Sequence, residues 1–357
     1  MSYQIDSKYL IDTLHELVEV DSPVGYYADI HAYLRDKFAG MGYEMFCDNK
    51  ATAYVRVEGA DSSKTVCVGA HLDTIGLIVR GFNDDGTLRV RMLGGINYHA
   101  IEGVTCRIHC RGGEVVMGQV ICNKHSVHVF EDCRSAERDE NTMSVSVIAD
   151  VACPADARAL GITEGAIISI DPQFEAFENG YIVSRHIDDK AAVAALLDVL
   201  RWLKETGQKP AFDTLFAFPM YEEIGHGGAF VPEGVSEYVA VDITLLGPDY
   251  DSNEHHVGVI ASDAKGPYDW DLTNQLIRCA KEHCDADKWD TQVCFHYSTD
   301  ANAASHLDHD LRHGAFGMAC LNSHGRERCH ERRELPSHPA VAHSALPIPR
   351  DAPRASG

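Results

Sequence analysis

The chain has 357 residues, 45% of them hydrophobic, which is enough for two domains and a sizeable core. Its 54 Asp and Glu against 31 Lys and Arg leave a formal charge of −23, which repels phosphate backbones and anionic lipid and argues against nucleic acid or membrane as partners. No apolar run reaches the roughly 18 residues of a membrane span, and Met1 to Leu10 has no basic start followed by an apolar stretch, so a cytoplasmic location is the expectation.

In chain order, residues 7–20 and 26–39 carry apolar positions at helical spacing (Leu10, Ile11, Leu14, Leu17 and Val18, then Ile30, Leu34 and Phe38). Asp21-Ser22-Pro23-Val24-Gly25 between them reads as a turn. Strands follow over Thr52 to Val57 and Thr65 to Ala70. From about Gly76 to Ile170 the texture changes to short alternating runs punctuated by Gly and by Asn83-Asp84-Asp85-Gly86, the pattern of a small all-β barrel. Asp189 to Thr206 is predicted to be helical, and strand, loop, strand and a further helix near Asn274 to His283 resume the α/β pattern. The prediction is therefore a catalytic α/β domain in two parts, 1–75 and 173–335, interrupted by a β domain at 76–172 that serves dimerisation. Five of the 13 Pro lie between Pro336 and Pro353 without periodicity, so residues 336–357 are predicted to be a disordered tail. The twelve Cys are scattered with no Cys-x-x-Cys and are read as reduced, mostly buried thiols, Cys106 and Cys110 among them.

Four short segments each deliver a candidate metal ligand where an apolar strand runs out or a helix begins. His71 follows the strand ending at Ala70, and Asp73 two residues on is placed to orient the ring or raise its basicity. Asp188 precedes the long helix, where a carboxylate can cap the helix or bridge two cations. Its neighbour Asp189 is a rival for the cap. Glu222 and Glu223 follow an apolar strand from Thr214 to Met220, and adjacent carboxylates repel unless a cation lies nearby. One can bind metal while the other takes a proton from water. Asp242 ends the apolar run Tyr238 to Ile243 and needs a partner there. In an open, mostly parallel sheet the carboxyl ends of strands converge on one crevice, so these residues can meet in one site. One His and several carboxylates at such an edge point to a two-metal hydrolase. Gly-x-Ser-x-Gly, the phosphate-binding Gly-x-x-x-x-Gly-Lys and His-Glu-x-x-His are all missing.

The set Ala70-His71-Leu72-Asp73, Ser184-Arg185-His186-Ile187-Asp188-Asp189-Lys190-Ala191-Ala192, Tyr221-Glu222-Glu223-Ile224-Gly225 and Val241-Asp242 resembles the tetrahedral/glutamyl aminopeptidase family of dinuclear metallopeptidases. The resemblance runs from the first helix to about residue 330 and is closest to the branch associated with the osmoprotectant N-acetylglutaminylglutamine amide. It implies a zinc-peptidase-like mixed sheet flanked by helices, with the small barrel inserted. It further implies two divalent ions, Zn or Co, bound by His71, Asp188 as the bridge, Glu223, Asp242 and His324, with His330 in reserve as the last ligand. Glu222 would be the general base, Asp73 would orient His71, and the oligomer would be a hollow homo-oligomer built from dimers, up to a dodecamer. The branch has Tyr where this chain has Arg326, and a long helix where this chain has the Pro-rich tail.

The expected function is aminopeptidase action on short peptides or peptide-like amides through a metal-bridging water and the Glu base. One alternative keeps the metals and changes the bond, as a carboxypeptidase or N-acyl amidohydrolase. Another is an inactive assembly or binding protein with an altered C-terminus.

Overall fold

The computed structural model describes residues 5–307 and 309–330. The tail expected at 336–357 lies outside the described residues. Helices are α1 (Ser7–Glu19), α2 (Ala28–Met41), α3 (Ile187–Thr206), α4 (Trp270–His283) and α5 (Asp300–His306). The strands before the α/β pattern resumes are β1 (Ala53–Val57), β2 (Asp61–Gly69), β3 (Gly76–Phe82), β4 (Leu88–Leu93), β5 (Thr105–His109), β6 (Val115–Cys122), β7 (Met143–Val147) and β8 (Ile167–Ile170). After them come β9 (Tyr181–Ser184), β10 (Phe212–Phe218), β11 (Val235–Leu245), β12 (Val257–Asp263), β13 (Trp289–Val293), β14 (Arg312–Cys320) and β15 (Glu327–His330).

The large sheet runs in the order β1-β10-β2-β11-β14-β12, with β13 beside β12. Its middle, β10-β2-β11-β14, is parallel throughout. Strands of this kind are covered on both faces and so read as unbroken apolar runs. β11 shows this: Val239, Val241 and Ile243 pack with the helices α1, α2 and α3, while Tyr238 and Ala240 join a second core on the other face. The six strands β3 to β8 close into a separate barrel with its own core of Leu77, Val90, Ile108, Val120, Val145 and Ile168. Cys106 and Cys110 are buried there as free thiols.

Two elements differ from the sequence reading. β11 continues through Asp242 to Leu245, because β14 pairs with it as far as Cys320 and keeps the ladder going. Asp242 therefore stands inside the strand. Helix α3 is irregular at its start, with Asp188 (φ −70°, ψ 108°) and Asp189 (φ −117°, ψ 27°) both outside helical geometry.

The turn at Asp21 to Val24 is fastened from two sides. Ser22 donates to the Leu72 carbonyl at 2.7 Å, and Val24 and Thr74 exchange backbone contacts with the same segment. Arg107 of β5 grips Asp21 through two hydrogen bonds of 2.6 and 2.7 Å, and His109 adds a third contact at 2.9 Å. The barrel is thereby tied to the turn that braces the His71 segment. Among the described residues, no helix is long and apolar enough to cross a membrane.

Candidate metal centre

His71 lies two residues past the end of β2, and Glu222 and Glu223 lie just past β10. Because β2, β10 and β11 are neighbours running the same way, their chain exits and Asp242 gather at one end of the sheet. Asp188 and Asp189 arrive from the start of α3, and His324 from the loop between β14 and β15.

Asp188 occupies the centre. Its Oδ1 lies 3.1 Å from His71 Nε2, and its Oδ2 lies 3.6 Å from His324 Nε2. His324 Nε2 is also 3.4 Å from Glu223 Oε2. Glu222 Oε2 stands 3.7 Å from His71 Nε2. The ligand atoms of His71, Asp188 and Glu223 all fall within 4.8 Å of one another, and so do those of His71, Asp189 and Asp242. All seven residues singled out from the sequence thus reach one region. His330 does not: its Nε2 contacts the Asn179 carbonyl, in the small sheet formed by β9 and β15.

The partners of each group explain its orientation. His71 Nδ1 is 2.9 Å from the Asp73 backbone carbonyl and 3.6 Å from that residue's carboxylate. A ring nitrogen so engaged leaves Nε2 to face the centre. The Asp73 carboxylate, fully buried, accepts the backbone N–H groups of Glu222 and Glu223 at 3.1 and 3.2 Å. It therefore holds the acidic pair as well as the histidine. His324 Nδ1 is 2.9 Å from the Gly95 carbonyl, in the loop after β4, so the barrel side also supports the site.

The electrostatics are those of too many carboxylates in too little water. Burial opposes a charge on His71, but Asp188 and Asp73 outweigh it and hold its pKa well above the usual imidazole value. Burial also works against the Asp188 anion, yet the His71 hydrogen bond keeps its pKa below normal. Burial pushes Glu222 and Glu223 well above the ordinary carboxylate range, with Asp242 adding to the first and Asp188 to the second. Asp242 is pushed up to about 7 by burial and by Asp188. Asp189 is fully buried and raised by burial and by Asp242; one oxygen takes the His71 N–H at 3.2 Å, and the other has no partner among the described residues. A set of hard oxygen donors with imidazole nitrogen, crowded and partly unsatisfied, fits divalent cations.

The cluster opens into a cavity of about 490 Å³, lined also by Gly95, Asn97, Tyr297, Ser298 and Ser323. A larger hollow of about 650 Å³ lies among α1, α2 and α3, beside Tyr9, Tyr33, Lys37 and Arg201. Among the described residues the candidate ligands all border the smaller cavity or lie behind it, and none borders the larger one.

Three acids at or behind the centre had no place in it assigned from the sequence. Asp189 could be read only as a rival helix cap. Asp300, at the start of α5, accepts the Gly228 N–H at 2.7 Å and is pushed up to about 7 by burial, with Asp73 adding to it. Its place after Thr299 resembles any helix start. Glu327 is 2% exposed and lies in the segment Ser323 to His330, where the resemblance matches the residue but gives it no role.

The family model described as M42 glutamyl aminopeptidase matches residues 51–334 of the chain. A relative from Bacillus subtilis (strain 168), YhfE, which carries an aminopeptidase name, is 33% identical over 322 residues, covering 90% of this chain and 92% of its own. Among solved structures, a TET aminopeptidase from the marine sediment archaeon Thaumarchaeota archaeon SCGC AB-539-E09 superposes with a TM-score of 0.82 at 17% identity, covering 97% of both chains. The Pyrococcus horikoshii TET1 peptidase, described as assembling into a tetrahedron or a large octahedral shell, gives a TM-score of 0.79 at 18% identity, with 95% and 98% covered.

Proposed function

The chain belongs to the M42 glutamyl aminopeptidase family and is a hydrolase of peptide bonds, and from that premise we propose that it removes N-terminal residues from short peptides or peptide-like amides, using two divalent cations, Zn or Co, and Glu222 as general base. The observation that carries this reading is the orientation of the Asp188 carboxylate, whose two oxygens address different imidazoles, His71 at 3.1 Å and His324 at 3.6 Å. A carboxylate so oriented can serve two cations at once. His71 and Asp242 would complete one site, and Glu223 and His324 the other. Cations bound there supply positive charge that polarises a carbonyl oxygen and makes water more acidic.

The chain's own residues do the rest. Glu222 borders the cavity beside His71, and burial gives it a raised affinity for a proton. Such a group takes a proton from water and returns it to the leaving amine. Asp73 keeps Glu222 and Glu223 in place through their backbone N–H groups.

A homo-oligomer is part of the same proposal, supported by the assembly described for the Pyrococcus horikoshii neighbour. Exposed Val115, Met117 and Ile148 form an apolar patch on the barrel that suits self-association, since the Ile148 N–H donates to the Met117 carbonyl. Light scattering should give a multiple of the 39.3 kDa chain mass; a single-chain mass at micromolar concentration would remove the oligomer.

The reaction is tested with paired short peptides, one with a free amino terminus and one N-acetylated. Stepwise loss of N-terminal residues from the free peptide alone is expected. Cleavage of the acetylated one would move the assignment to an amidohydrolase.

A further inference from the structure

Glu327 has no role in the reading above, yet its carboxylate touches both halves of the centre. Oε2 accepts the backbone N–H of Asp188 at 2.9 Å, and Oε1 accepts the backbone N–H of His324 at 3.1 Å. The side chain is buried, and among the described residues no Lys or Arg comes within ion-pairing distance of it. A buried acid without a cation is costly, and here each of its two oxygens is engaged by a main-chain donor.

Those two donors are an unusual choice. His324 stands at φ +60°, in the left-handed region that residues with a side chain rarely adopt. Its N–H is held by Glu327 and its Nδ1 by the Gly95 carbonyl, so backbone and ring are each fixed by a separate contact. Asp188 lies in the irregular first turn of α3, where N–H groups have no intrahelical partner, and its N–H turns to Glu327. Glu327 itself is placed by β15, where it pairs opposite Ser184, three residues before Ile187 opens α3. One rigid strand end therefore sets the distance between the Asp188 and His324 backbones.

From this geometry we infer that Glu327 is a positioning residue that fixes the spacing of Asp188 and His324, and so sets the affinity of the half-site those two share with Glu223. The inference rests on the dinuclear reading above. His71 and Asp242 are held by other contacts, to Asp73, Asp189 and Ile243, and do not depend on Glu327.

Glu327→Gln separates this role from a structural one. Glutamine keeps the shape but offers one acceptor oxygen and turns an NH2 group toward the other N–H. It also removes an acidic group buried next to Asp188. The metal-free variant should therefore be as resistant to urea as the wild type, or more so, while its weaker Zn2+ site should lose about 10- to 100-fold in affinity, as is usual when an outer partner of a ligand is removed. Titration of metal-free protein with Zn2+ against a chromophoric chelator reads both sites, and Glu327→Asp, which keeps both acceptors on a shorter stem, should recover part of the loss. If the wild type takes up two ions and Glu327→Gln binds both as tightly, the inference fails alone. If the wild type takes up fewer than two, the dinuclear reading fails and carries this inference with it. If both metal-free variants are unfolded, Glu327 is a residue of the fold and the inference is overturned.

Discussion

Asp188 and Glu222 illustrate how two carboxylates a few ångströms apart come to differ. Asp188 bonds directly to a histidine that its own charge keeps protonated in the absence of metal, so it stays ionised despite burial. Glu222 has no such bond: its closest imidazole nitrogen is 3.7 Å away and the acids around it favour its neutral form. Environments that push apart the proton affinities of neighbouring acids separate a ligand from an acid-base group. Glu222→Gln should therefore keep its Zn2+ uptake and lower kcat by about 10²- to 10⁴-fold, the usual contribution of a placed proton acceptor. Steady-state kinetics on metal-loaded protein decide it, and a variant turning over at the wild-type rate would take Glu222 out of the mechanism.

At the scale of elements, the segments most legible in the sequence were those whose burial leaves a period. The later parts of β2 and β10 and the middle of β11 are covered on both faces and read as apolar runs, and α1 and α2 show one apolar stripe each. Each run also marked a candidate ligand, because a charged residue next to such a strand has to be explained. The barrel was legible from a change of texture between Gly76 and Ile170, although the closure order of its strands was not, since pairing depends on partners far apart in the chain. Asp242 looked like a strand end because the Asp interrupts the hydrophobic pattern; only the pairing with β14 shows the strand continuing. No role could be read for Glu327, Asp300 and Asp189, for they act through hydrogen bonds to backbone or through crowding, and neither has a sequence period. The contribution of Gly95 to His324 was hidden for the same reason.

At the scale of the molecule, the barrel and the large sheet are joined where the centre needs support. Arg107 and His109 hold Asp21, whose turn braces the Leu72 to Thr74 segment beside His71, and the loop after β4 brings Gly95 and Asn97 to the cavity wall. Buried ion pairs of this kind cost several kcal/mol when one partner is removed, so the two units are expected to unfold together.

The account centres on two cations shared through Asp188. The most direct measurement is peptide hydrolysis by chelator-stripped protein as Zn2+ or Co2+ is returned in counted equivalents per chain. Activity that stays low through the first equivalent and rises with the second, and that Asp188→Asn cannot recover at any loading, is the predicted result. Full activity at one equivalent, or in the presence of excess chelator, would contradict it.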